Sequence, residues 1–288
     1  MNPDKTLFVH QFLEHSAQRF PEKEAVIFQK QRLTYREIDN SANALAWKLL
    51  EMGAKTGDRV LLLLENRPEY VISYYGIMKS GAVAVPVNTD IKPASLGWLI
   101  QDTGAKILIS SSGFYRVLND FNFADTDIGS IILFNPKTGQ KDFGIPTINW
   151  DEAVLSNKTS PPEVVVENEA PASIIYTSGS TGNPKGVVLS HRNIVSNTRA
   201  ICASLELTDA DIQMVVLPFF YVMGKSLLNT HFAIGGTVVI NNTFLYPATV
   251  LKQMSEEKVT GFSGVPSTYA FLLHRSPLAS YRDQLPHL

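Results

Sequence analysis

The stretch 176–191 reads YTSGSTGNPKGVVLSH, in which Ser, Thr and Gly crowd around a single lysine, Lys185. Gly179, Gly182 and Gly186 let a backbone turn without Cβ clashes and come close to a ligand. Successive backbone N–H groups in such a loop form a concave anion-binding nest. Thr177, Ser178, Ser180 and Thr181 add hydroxyl donors, and Lys185 adds a positive charge. These are parts for holding a polyphosphate, and a plain glycine-rich hairpin turn leaves their concentration unexplained. The pattern is not the Walker G-x-x-x-x-G-K-[ST]. Lys185 follows Pro184 and precedes Gly186-Val187-Val188, so the loop runs into a strand, with no Ser or Thr directly after the lysine to hold magnesium. The dinucleotide fingerprint G-x-G-x-x-G is also missing from this stretch.

Other reactive side chains carry less. The single cysteine, Cys202, excludes an internal disulfide and a Cys-based zinc site, and reads as a small apolar helix residue. His191 closes the strand after the loop and opens a helix, which fits a cap or supporting role better than proton transfer. His10, His15, His231, His274 and His287 show no metal-ligand spacing, and no G-x-S-x-G elbow occurs. Metal-hydrolase and serine-hydrolase chemistry therefore lack support. A net charge of -2 speaks against a nucleic-acid or anionic-lipid surface. The N-terminus lacks a signal-peptide layout, and the longest apolar run, 214–223, is interrupted by Pro218 and too short to span a bilayer. The expectation is a cytoplasmic protein with no nucleic-acid partner and no membrane span.

The elements that must position the loop alternate in type. Apolar spacing predicts helices over 8–20, 69–79, 94–103, 192–204, 226–233, 247–258 and 267–274. A further helix starts at the capping-box pattern of Thr34 and Glu37 and runs to about Leu49. Strands are predicted over 24–29, 59–64, 82–87, 106–110, 130–134, 173–176, 187–189, 211–217 and 237–240. This order implies an α/β fold of layered βαβ sheets, mostly parallel, with helices on both faces. Residues 1–165 are expected to form one lobe and 166–288 a second lobe that carries the loop. The segment 135–169, rich in Pro, Asn, Lys and Thr, reads as a surface crossing between them.

The loop resembles the signature phosphate loop of the adenylate-forming (AMP-binding) superfamily: acyl- and aryl-CoA ligases, adenylation domains of peptide synthetases, and luciferases. LTYREID (33–39), MKSGAVAVPVN (78–88), LPFFYVMG (217–224) and GVPSTYAFLL (264–273) resemble further family segments in the same order. The resemblance covers the chain as the N-terminal part of an acyl/aryl-CoA-ligase-like enzyme, incomplete at its C-terminus and without the C-terminal lid domain. It implies that ATP and a carboxylic acid give an acyl-adenylate and pyrophosphate, and that the acyl group passes to coenzyme A or to a carrier-protein pantetheine. By similarity, Thr177, Ser178, Gly179, Ser180, Thr181 and Gly182 would wrap the β- and γ-phosphates. Lys185 would either hold the loop or neutralise phosphate charge, and Thr181 is a candidate to contact Mg2+.

Tyr221, Gly224, Gly264, Val265 and Pro266 are the implied acyl-pocket wall. The alternative makes Phe219, Phe220 and Tyr221 simple core aromatics, and Lys225 with Ser226 solvated surface. Tyr221 stands where relatives carry the His of F-H-x-x-G or the Asp of F-D-x-S, and no Asp occurs between Asp211 and Asp283, which argues against an α-amino acid substrate. No Y-G-x-T-E segment for adenine follows, and the family's catalytic lysine would lie beyond Leu288. Residues 1–288 alone are thus expected to be inactive, with an acyl carrier protein or a complementing C-terminal part as partner. Two other readings stay open: an adenylation domain that loads a carrier-protein pantetheine, and a non-catalytic nucleotide- or acyl-binding fragment.

Overall fold

The computed structural model describes residues 7–137, 142–155, 158–177 and 184–288. The chain begins with α1 (Gln11–Arg19), β1 (Glu24–Phe28), β2 (Gln31–Thr34), α2 (Tyr35–Glu51), β3 (Arg59–Leu63) and α3 (Pro68–Lys79). It continues through β4 (Val83–Pro86), α4 (Pro93–Thr103), β5 (Ile107–Ser111), α5 (Tyr115–Asn119), β6 (Ser130–Phe134), β7 (Thr147–Asn149) and α6 (Trp150–Val154). Next come β8 (Pro171–Thr177), β9 (Lys185–Ser190), α7 (His191–Ser204), β10 (Ile212–Val215) and α8 (Val222–Ile234). The last elements are β11 (Thr237–Ile240), α9 (Pro247–Glu256), β12 (Gly261–Phe262) and α10 (Pro266–Arg275). Among the described residues, no helix is long and apolar enough to cross a membrane.

Two compact units interleave along the chain. The first takes residues up to His10, 37–65 and 69–195; the second takes 11–36, 66–68 and 196–288. The expected boundary at 165/166 is not where this division falls. β8 hydrogen-bonds in parallel to β4, with Ser173 opposite Ala84, so the strands flanking the loop belong to the first unit.

A seven-stranded sheet in the order β7-β6-β5-β3-β4-β8-β9 runs through the first unit. Its pairs are parallel except for the antiparallel β8–β9 hairpin. β3 to β6 are buried almost without interruption, which explains their continuous apolar sequences: a strand covered on both faces has no polar side to show. Leu61, Leu63, Leu108 and Ile131 form one core face with Leu96 and Ile100 of α4, each such side chain contributing about 2 kcal/mol by leaving water. Lys79 of the MKSGAVAVPVN segment is fully buried at its side chain and sits 2.8 Å from Asp39 of α2, an ion pair that ties α3 to α2. Residues 158–168 carry no helix or strand, but they are held. Asn43 and Trp47 of α2 donate to the carbonyls of Thr159 (2.6 Å) and Ser160 (2.9 Å). The expected crossing therefore stays within the first unit and leads from α6 back to β8.

The second unit contains a five-stranded sheet, β12-β10-β11-β1-β2, whose first four strands are parallel and whose last folds back on β1. Ile27, Met214 and Val239 pack against Val250, Leu251 and Met254 of α9. Tyr35 of LTYREID is fully buried; its hydroxyl donates to the Gly236 carbonyl at 2.6 Å and its ring meets Phe232 of α8 edge-on at 5.3 Å.

Candidate functional site

β8 and β9 form a register that is continuous from Ser173↔Leu189 to Thr177↔Lys185. β8 runs parallel to β4, so this hairpin points its loop off the carboxyl edge of the parallel sheet, the edge where open α/β sheets place their ligands. Thr177 and Lys185 are cross-strand neighbours at the two feet of the loop, and both are exposed. Among the described residues no carboxylate pairs with Lys185, so its charge faces solvent or an incoming anion. Ser178, Gly179, Ser180, Thr181 and Gly182 lie outside the described residues. The expectation that the loop leads into a strand and not a helix holds, since Lys185 is the first residue of β9.

Tyr176 is the better-defined part of the hairpin. It pairs with Gly186, and a Cβ on that glycine would stand 3.0 Å from the tyrosine ring, so the ring lies directly over the glycine backbone. Trp98 of α4 meets the ring edge-on at 5.8 Å, and the phenol hydroxyl donates to the Asp102 carboxylate. Burial, reinforced by that bond and by the carboxylate's charge, raises the phenol's pKa and keeps it a donor.

At the other end of β9, His191 is 1% exposed. Its Nδ1 accepts the Val9 amide at 3.2 Å, and the rings of Phe8 and His10 surround it. Burial and the neighbouring His10 push its pKa down to about 4, so it is neutral near pH 7 and supports structure, as expected from its position. Cys202 is half-buried and its thiol is pushed up to about 11 by burial, which suits the apolar role and not a nucleophile.

The implied acyl-pocket residues all belong to the second unit. β10 and β12 are adjacent and parallel, so the segments that follow them, 217–224 and 263–266, leave the same sheet edge. Tyr221 caps α8 and Val265 caps α10, both with extended backbone. Phe219 and Phe220 are buried, whereas Tyr221 is 53% exposed, with its ring 4.3 Å from that of Phe220; only the first two are core aromatics. Gly224 is buried and allows α8 to press on the preceding turn: an added Cβ would stand 2.3 Å from the Pro218 carbonyl oxygen. Gly264 is half-buried, and Val265 and Pro266 are exposed.

Two further residues complete this region. Asn66 donates to the Leu217 carbonyl (2.8 Å) and accepts from the Phe219 amide (2.7 Å), while Asn242 donates to the Asn66 carbonyl (2.8 Å). These amides fix the path of the aromatic segment, and nothing in the sequence around Asn66 beyond its place after an apolar strand marks them. Lys225, expected on a solvated surface, is 4% exposed, and burial lowers its pKa well below the ordinary lysine value. Its spacing to Leu228 and Phe232, three and seven residues on, puts it on the buried stripe of α8, which is the signal that had been available. Among the described residues, no group of three or more His, Cys, Asp or Glu could hold a metal ion, and Thr181, the candidate for Mg2+, lies outside them.

Comparison with known proteins bears on the family and the fold. The chain is 30% identical over 271 residues to one of the plipastatin synthase subunits of Bacillus subtilis (strain 168), covering 92% of this chain and 7% of that protein. It is 30% identical over 303 residues to a long-chain-fatty-acid–CoA ligase of the same organism, covering 97% of this chain and 53% of the ligase. Thus it spans about half the length of that ligase. The inhibitor-bound N-terminal domain of FACL13 from Mycobacterium tuberculosis superposes with a TM-score of 0.84 at 26% identity, covering 98% of this chain and 68% of that one. The family model described as AMP-binding enzyme matches residues 13–288, and the chain belongs to that family of adenylate-forming ligases.

Proposed function

We propose that this chain supplies the polyphosphate-binding part of an enzyme that activates a carboxylic acid with ATP, releases pyrophosphate and passes the acyl group to the thiol of coenzyme A. The observation that carries the reading is the hairpin: Thr177 and Lys185 face each other across a Ser/Thr/Gly loop at the carboxyl edge of a parallel sheet. In such a reaction the carboxylate attacks the α-phosphorus and negative charge grows toward the departing pyrophosphate. Backbone N–H groups and hydroxyls already aimed at those oxygens stabilise that charge without having to reorient. Thr177, Ser178, Gly179, Ser180, Thr181 and Gly182 are the proposed donors, and Lys185 supplies the positive charge beside them. Thr181 is the residue proposed to contact the Mg2+ that accompanies the nucleotide. Tyr221, Gly224, Gly264, Val265 and Pro266 are proposed to form one wall of the acyl site.

A second reading, in which the acyl group goes to a carrier-protein pantetheine, draws support from the similarity to a plipastatin synthase. The two readings share the activation step and differ in the acceptor. The polyphosphate-binding part of that step is tested by calorimetric titration of the 288-residue chain with MgATP and with magnesium pyrophosphate. Binding of both is expected, and Lys185→Ala should weaken each about tenfold, the scale of one lost charge-assisted contact. Equal binding by Lys185→Ala would remove the lysine from the site, and no binding of either ligand by the unaltered chain would remove the phosphate reading.

A further inference from the structure

We propose that Tyr176 and Asp102 form a clamp that positions the feet of the phosphate loop, making both of them positioning residues for polyphosphate binding. The proposal rests on the reading of the hairpin as a phosphate site and names what holds it in shape.

β9 is an edge strand of the seven-stranded sheet, and its first four residues are exposed. Its register with β8 is therefore the main thing that sets where Lys185 stands relative to Thr177. An edge hairpin with a glycine at one pair is weakly specified by backbone pairing alone, because glycine offers no side chain to its cross-strand neighbour. Here the neighbour closes that gap. The Tyr176 ring covers Gly186, and an added Cβ would meet the ring carbon at 3.0 Å, the phenol oxygen at 3.2 Å and Ile174 at 3.0 Å.

The ring itself is held by α4. Trp98 and Asp102 are four residues apart, hence on one face of that helix, and both reach Tyr176: one by an edge-on ring contact at 5.8 Å, the other by accepting the phenol proton. Leu96, Leu99 and Ile100 of the same helix are buried, so the clamp is mounted on a fixed element. The placing of Asp102 is itself informative. A carboxylate in the last turn of a helix opposes the helix dipole; α4 carries no basic residue of its own in that turn, and the Arg59 guanidinium at the helix end is taken up by the Thr103 and Gly104 carbonyls. The bond to Tyr176 gives that position a reason. The phenol, kept protonated by burial and by the carboxylate, is a permanent donor at the foot of the loop.

The test uses the 288-residue chain and the variants Tyr176→Phe, Asp102→Ala, Asp102→Asn and the double variant Tyr176→Phe/Asp102→Ala. Phenylalanine keeps the ring over Gly186 and removes only the hydroxyl, and asparagine keeps an acceptor for it. Affinity is measured by calorimetry for MgATP and for AMP, which lacks the β- and γ-phosphates, with thermal midpoints as a check on folding. MgATP binding is expected to weaken about fivefold in Tyr176→Phe and in Asp102→Ala, with AMP unchanged. The double variant should be no weaker than either single one, since both break the same bond, and Asp102→Asn should recover part of the loss. Amide exchange should rise in 171–177 and 184–190 of Tyr176→Phe and stay constant in 59–63.

MgATP binding within twofold of the unaltered chain in Tyr176→Phe, or equal losses for MgATP and AMP, overturns the clamp. So does additive loss in the double variant or unchanged exchange in the hairpin. Absence of MgATP binding by the unaltered chain overturns the phosphate reading and the clamp with it, so the two failures are distinguishable.

Discussion

The β8–β9 hairpin and the 217–224 segment each leave the carboxyl edge of a parallel sheet, and they are held by opposite means. The hairpin is an exposed edge, fixed from one side by its ladder with β8 and from above by a ring and a carboxylate of α4. The aromatic segment is fixed from within, by the Asn66 and Asn242 amides, by a fully buried Phe219 and by the close approach of Gly224 to Pro218. The difference follows from what each is proposed to meet. A polyphosphate is bound by donors that must remain open to an ion arriving from water, whereas an acyl wall works by shape, and shape needs a packed backing.

The comparison breaks most sharply at Gly224. Gly224→Ala forces a methyl against a backbone carbonyl at 2.3 Å, and should cost about 3 kcal/mol in urea unfolding, at the upper end for overpacking. A loss below about 1 kcal/mol would mean that the turn yields and that the segment is not rigid.

Acid should act on both units, because each holds a buried histidine. His191 has a folded pKa of about 4 against an ordinary 6.5. His231 is likewise lowered by burial, against the opposing influences of the Leu227 carbonyl bond and the Asp211 charge. A lowered histidine pKa means that the unfolded chain takes up the proton first. Stability is then fully present above pH 6.5 and falls as the pH drops toward 4. From His191 alone the loss by pH 5 is about 2 kcal/mol. Urea midpoints at pH 7.5 and pH 5 in wild type and His191→Asn measure it. An equal slope in the variant would assign the pH dependence elsewhere.

The smallest effect is expected at Tyr221. Its ring is half in water, so Tyr221→Phe should change stability by less than about 0.5 kcal/mol. If it lines an acyl wall, the same change alters which carboxylic acids drive ATP–pyrophosphate exchange. An unchanged acid profile would leave the tyrosine as surface.

Much of this was legible before the structure. The strand expected at 130–134 is β6 and that at 237–240 is β11, with the same bounds, because a doubly covered strand announces itself as an unbroken apolar run. β12, two residues long, and β7, three residues of mixed polarity, carry no such run and were missed. The interleaving of the two units was not legible for a related reason. The pairing of β8 with β4 joins Ser173 to Ala84 across a long stretch of chain, and no local pattern records a partner so distant. The site shows the same split. Lys185 and its glycines declared themselves by composition, while Asp102 stands 74 residues from Tyr176 and Asn66 153 from Phe219, each an ordinary residue until the fold brings it to its place.

The interleaving of the two units has a practical consequence for anyone who wishes to take the molecule apart. Residues 11–36 and 66–68 belong with 196–288, and the stretches between them belong with the other unit. A single proteolytic cut in the irregular 158–168 segment therefore divides both units between the two pieces, and no single cut separates one unit cleanly from the other. Every two-piece division of the gene hands each product at least one fragment whose partners are on the other piece. Complementation by splitting this chain should fail unless both pieces are present as they fold.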